Sequence, residues 1–137
     1  MTDHQTVLDY WLADSALSPE HTQQHKKRWY RSSQAIDDEI EAQFAELHAE
    51  SVRGQLDEWR TQAFSALALV ILLDQFTRHL YRGTAQAFSQ DSFALDVARN
   101  CPGIESLPVI GQVFLLHPFE HSEDIAVQAE SVKRFTR

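Results

Sequence analysis

The stretch Ala66-Leu-Ala-Leu-Val-Ile-Leu-Leu-Asp-Gln-Phe-Thr-Arg-His-Leu-Tyr-Arg-Gly83 decides the fold. Its first eight residues are apolar without a break, so a helix here has hydrophobic side chains all round and must be covered on most sides. The spacing predicts a helix from about Thr61 to Tyr81, stopped by Gly83, and places it at the centre of the molecule. Eight apolar residues closed by Asp74 fall short of the roughly 20 needed to span a bilayer. A buried core helix is therefore expected, not a membrane span.

Outward from this helix, the other segments read as amphipathic partners for it. Thr2 or Asp3 can cap a first helix bearing Val7, Leu8, Tyr10, Trp11 and Leu12. Ile36, Ile40, Phe44 and Leu47 recur at helical spacing behind an acidic first turn of Asp37, Asp38, Glu39 and Glu41, with Gly54 as the terminating residue. A fourth helix, capped by Ser89 or Asp91, carries Phe93, Leu95 and Val97 and ends before Pro102-Gly103. A fifth, opened by Ser106 and Pro108, carries Val109, Val113, Phe114 and Leu116 and is expected to break at Pro118. A sixth starts at Ser122 and runs through Ile125, Ala129, Val132 and Phe135. The segment from Ser15 to Arg31 reads as a long connection. No period-two alternation and no hairpin turn signal occurs. The fold class is all-α: residues 1–137 form a single domain of about six antiparallel helices, in a bundle or a short solenoid.

Composition narrows the functional classes. Twelve Lys and Arg against twenty Asp and Glu leave a formal charge of −8 in 137 residues, which opposes binding to nucleic-acid phosphates. A single cysteine, Cys101, excludes an internal disulfide and fits a reducing compartment. The N-terminus lacks the basic and apolar regions of a signal peptide, so a cytoplasmic location is expected. There is no Gly-rich phosphate loop, no G-x-S-x-G elbow and no C-x-x-C pair, and no cofactor is expected.

Two polar constellations remain. Asp74, Arg78 and Arg82 lie at i, i+4 and i+8, in the order that favours a helical ion pair. Two guanidinium groups facing one carboxylate leave one able to hold a carboxylate or phosphate of a ligand. The plainer alternative is a structural ion pair with Arg82 solvated. Gln75 and His79 occupy the adjacent face. The second constellation is His117-Pro-Phe-Glu-His-Ser-Glu-Asp124. His117, Glu120 and His121 fit H-x-x-E-H, a zinc-hydrolase pattern that needs both histidines on one regular helical face and a third ligand. Pro118 inside the motif argues against that geometry, and no metal is expected. The alternatives are a capped polar corner between helices, or Glu120 and His121 turned inward to meet Arg78 or Arg82.

The motifs Leu72-Leu-Asp-Gln-Phe-Thr-Arg78 and Pro118-Phe-Glu-His-Ser-Glu-Asp124 resemble the bacterial domain-of-unknown-function family numbered nine hundred and twenty-four. Its pattern reads roughly L-L-D-Q-F-P-R-N-x-x-R-G-T, then F-L-Y-x-P-x-E-H-S-E-D. Val7-Leu-Asp-Tyr-Trp11, Arg28-Trp-Tyr30, Gly54-Gln-Leu-Asp57, Gln128 and Ser131-Val132 extend the resemblance over essentially the whole chain. It implies a tetratricopeptide-like helical fold and no established activity. Thr77 and His79 stand where the family has Pro and Asn, and His117 stands where it has an apolar residue. Family members continue into a segment like R-F-G-R-F-P-H-R-N, so a C-terminally truncated domain is expected. The matched polar positions are Asp74, Gln75, Arg78, Arg82, Glu120, His121 and Glu123. They imply a polar cluster between helices that binds a peptide or a small anionic ligand. The alternative is a hydrolase-type enzyme using Glu120 and His121 as an acid-base pair.

Overall fold

The computed structural model of the chain describes residues 4–12 and 34–121, with only the backbone described at Glu120 and His121. The expected sixth helix and the Ser15–Arg31 connection lie outside these residues. Five helices occur among the described residues, with no strand. They are α1 (His4–Trp11), α2 (Gln34–Val52), α3 (Ala63–Leu80), α4 (Asp91–Arg99) and α5 (Val109–His121). Short 3-10 turns at Asp57–Thr61, Ala85–Phe88 and Ile104–Ser106 join them. Gly54 and Gly83 both adopt positive φ, 78° and 82°, and end α2 and the α3 turn as the sequence predicts.

The apolar run of α3 is the hub. Ala66 through Leu73 have no exposed surface at all. By length and composition α3 is apolar enough to cross a membrane, but 78% of it is buried within the bundle, which accounts for the apolarity. α1, α4 and α5 pack on its first half, α4 and α5 also reach Ile71–Phe76, and α2 leans on residues Ile71–Leu80. One helix touched by all the others is a bundle arrangement; in a solenoid each unit meets only its neighbours.

Phe76 knits the hub to its partners. Its ring centroid lies 5.1 Å from Phe44 of α2, and 5.6 Å and 6.2 Å from Trp11 and Tyr10 of α1. Trp11 continues the chain of rings to Phe114 of α5, at 5.8 Å. Edge-on and tilted aromatic pairs of this kind add about 0.5–1.5 kcal/mol each beyond their buried area.

Two features depart from the sequence expectation. Residues Ile71–Phe76 are wound as a π-helix inside α3. The wider turn holds the buried Asp74 and Gln75, and hydrophobic periodicity carries no signal for it. The second departure is at Pro118, where α5 does not break but runs on to His121. Proline costs one backbone hydrogen bond and a clash with the carbonyl four residues back. The flanking Phe114, Leu115, Leu116 and Phe119 are all at most 3% exposed, and their burial holds the helix through it.

α5 crosses α3 at a glycine. A Cβ placed on Gly111 would sit 3.0 Å from the Leu67 side chain and 3.6 Å from Leu107 and Pro108. A branched side chain there must push the helices apart. Gly111→Val is expected to destabilise the protein by about 1–3 kcal/mol through overpacking, seen as a lower urea midpoint. A midpoint equal to that of the parent protein would show that the crossing is looser than the contact implies.

Candidate functional site

The candidate residues on α3 separate into two ionic clusters. In the first, Asp74 has no exposed surface, although it is a carboxylate in the most apolar helix. A buried charge must be paired and hydrogen-bonded to be tolerated. Gln75 Nε2 donates to its Oδ2 at 2.7 Å, and Arg78 Nη1 donates to its Oδ1 at 2.9 Å. Arg78 Nη1 also lies 3.0 Å from the Asp74 carbonyl oxygen. On its outer side, Arg78 forms a fork with Asp91, the first residue of α4, at 2.9 Å and 3.1 Å. The Phe88 ring, 59% exposed, covers the guanidinium at 5.1 Å. Asp91 also stands at the positive end of α4, where a carboxylate is favoured. Arg78 therefore bridges a buried carboxylate and a surface one, and ties α4 to the hub.

Arg82 goes elsewhere. Its Nε and Nη2 donate to the two oxygens of Asp37 on α2, at 2.7 Å and 2.8 Å. Positions i and i+8 of an α-helix differ by about 80° around the axis, and the regular helix ends at Leu80, so Arg82 swings to α2 and not back to Asp74. His79 completes this cluster. Its Nδ1 is 2.7 Å from Asp37 Oδ1 and 3.0 Å from Arg82 Nη2. A carboxylate only accepts and a guanidinium only donates, so one ring nitrogen cannot satisfy both. The shorter contact assigns the proton to Nδ1, donating to Asp37, and makes the Arg82 approach a close contact only.

The charges respond accordingly. The Arg82 fork holds the Asp37 carboxyl below its ordinary range against the opposing effect of burial, with His79 adding to the lowering. Asp37 in turn raises Arg82. Burial pushes His79 down, Asp37 opposes this and Arg82 reinforces it. One turn of contact further along, His48 of α2 meets Thr77 of α3, Nε2 to Oγ1 at 2.7 Å. Burial lowers His48 to about 4, so it is neutral at pH 7.

The sequence candidates thus divide. Asp74, Gln75 and Arg78 come together; Arg82 sits in the neighbouring cluster; Glu120 and His121 lie on α5 with side chains outside the described set. Glu123 falls outside the described residues altogether. His117 is on the same helix and is 6% exposed. Among the described residues, no three His, Cys, Asp or Glu side chains converge in a way that could hold a metal ion. Sequence reasoning missed Asp37, Asp91, His48 and Thr77 as site residues and gave His79 little weight. Asp37 and Asp91 were legible only as acidic residues near helix starts; their partners are 45 and 13 residues away, and no local pattern carries that pairing.

The model of a family described as bacterial proteins of unknown function (DUF924) matches residues 7–137. The chain belongs to the DUF924 family. It is also similar to the solved structure of a protein of unknown function, ATU0120 from Agrobacterium tumefaciens. The identity is 30% and the TM-score 0.80, over 93% of this chain and 69% of that one. No curated protein matches it. In this DUF924 chain, two of the departures from the pattern quoted above, Thr77 and His79, are both engaged with α2.

The two arginines should differ in energetic weight. Arg78→Ala leaves the wholly buried Asp74 without its cation and is expected to cost about 3 kcal/mol. Arg82→Ala acts on a 40% exposed side chain and is expected to cost about 1 kcal/mol or less. Urea unfolding of the two variants checks the order, and a larger loss for Arg82→Ala would refute it.

Proposed function

We propose that this chain is a non-catalytic helical binding domain whose ionic motif locks the bundle. The outward edge of Arg82 then takes a carboxylate or phosphate of a peptide or small anionic ligand. The supporting observation is the state of that guanidinium. Nε and Nη2 are bound to Asp37, Nη1 has no protein partner among the described residues, and the side chain is 40% exposed. A fork held on one edge is already oriented, so less conformational entropy is lost when an anion meets the other. Arg78 is the poorer candidate, because Asp74 and Asp91 neutralise it from both sides. The hydrolase alternative rests on Glu120 and His121, and no contact among the described residues favours it.

Asp37 beside Arg82 lowers the local positive potential, so affinity for a simple anion is weak. A dissociation constant on the order of 1 mM or weaker corresponds to about 4 kcal/mol, a reasonable ceiling for one charge-assisted contact in water. The test is a titration of isotope-labelled protein with inorganic phosphate, followed through the arginine Nε–H resonances. The Arg82 signal is expected to shift saturably and the Arg78 signal to stay in place. Arg82→Ala should abolish binding, and Arg82→Lys should retain a weaker response. A phosphate response that survives in Arg82→Ala would move the site elsewhere.

A further inference from the structure

We infer that the contact between α2 and the C-terminal half of α3 is an acid-sensitive latch: two buried histidines, His48 and His79, hold α2 in place only while both are neutral, and proton uptake releases α2 as a unit. This does not depend on whether Arg82 holds an anion.

The latch is reciprocal. His48 belongs to α2 and bonds Thr77 of α3; His79 belongs to α3 and bonds Asp37 of α2. Asp37 and His48 are eleven residues apart, which is about three turns and about 20° around a helix. They therefore lie on one face of α2, at either end of the buried stripe of Ile40, Phe44 and Leu47. The two histidines are only 3% and 7% exposed.

The surroundings oppose a second proton on either ring. Among the described residues no charged group faces His48; its neighbours there are the Thr77 hydroxyl, 2.7 Å away, and the Tyr81 ring, with centroids 6.1 Å apart. A protonated His48 would be a buried cation without a carboxylate. His79 faces Asp37 and Arg82 as its charged neighbours and the Trp11 ring of α1 as its apolar one. Its carboxylate is already matched by the Arg82 fork, and the guanidinium lies 3.0 Å from Nδ1, so an imidazolium there meets a cation at close range.

The sign follows from linkage. Once α2 is released, both rings titrate near the ordinary value of about 6.5. In the closed state both are held lower, His48 at about 4. The released state binds more protons in this window, so the latch is fully closed above about pH 6.5 and weakens as pH falls toward 4. Asp37 is held low, so its contribution is lost only at more acid pH and does not drive the transition. Release can be local because α2 packs chiefly on residues Ile71–Leu80, whereas α1, α4 and α5 are also anchored on Ala63–Val70, so that half of the core persists when α2 opens.

The experiment is amide hydrogen exchange on the full chain at pH 7.5 and pH 5, corrected for intrinsic exchange, comparing α2 with α4. His48 alone, moved from about 4 to an ordinary 6.5, raises the opening constant of α2 roughly 30-fold at pH 5. α4 should change by less than about threefold on the same scale, since opening free energies differ between cooperative units. A double variant, His48→Gln with His79→Asn, keeps amide partners for Thr77 and Asp37 without a titrating ring, and its α2 protection should be independent of pH. Equal loss in α2 and α4, or the same loss in the double variant, would overturn the latch. Ring titration of the parent protein by NMR decides independently of how the variants fold: either histidine titrating near 6.5 while α2 stays protected refutes it.

Discussion

A carboxylate with no exposed surface, Asp74, stands within the most apolar of the described helices, and the architecture around it follows from that constraint. Left unpaired, such a charge costs far more than a domain of this size can tolerate. Gln75 and Arg78 turn toward it. Arg78 has more donors than Asp74 takes up, and Asp91 at the head of α4 accepts from its outer side. A chain of charge compensation thus runs from the core to the surface and fixes where α4 docks. The π-helical winding of Ile71–Phe76 sits at the same place, where the backbone accommodates polar side chains within an otherwise hydrophobic cylinder.

The second ionic cluster has a different character. Arg82 is two-fifths exposed and Asp37 is 13% exposed, so water screens part of the attraction. Its value lies in orientation as much as in energy. The fork fixes the direction of the guanidinium, the carboxylate fixes the His79 tautomer, and α2 is held at its first turn. Between that turn and His48, adhesion is apolar, through Ile40, Phe44 and Leu47, which are each no more than 6% exposed. The polar contacts specify where α2 sits, and the apolar stripe supplies most of the burial that keeps it there.

The two clusters also differ in how far their arginines are neutralised. Arg78 is met by carboxylates on both sides, whereas Arg82 is 40% exposed and its Nη1 has no partner among the described residues. Charge count alone treats the two residues as equals. The geometry gives Arg78 two carboxylate partners and Arg82 one, with Arg82 the more exposed of the two.

The sequence by itself determined the helical class, the central position of α3, the glycine stops at Gly54 and Gly83, and the pairing of Asp74 with Arg78. All of these depend on interactions within about one turn of helix or on hydrophobic periodicity, so the local pattern carries them. The tertiary structure alone decided that Arg82 turns to Asp37, that Asp91 closes the fork on Arg78, and that His48 and Thr77 meet. It also decided that α5 continues through Pro118. Each of these depends on which distant helix lies alongside, or on packing that outweighs a local preference. The π-helical winding of Ile71–Phe76 belongs with them, because hydrophobic periodicity carries no signal for it. A partner 45 residues away leaves no periodic trace, because contact between two helices is fixed by the packing of the whole core.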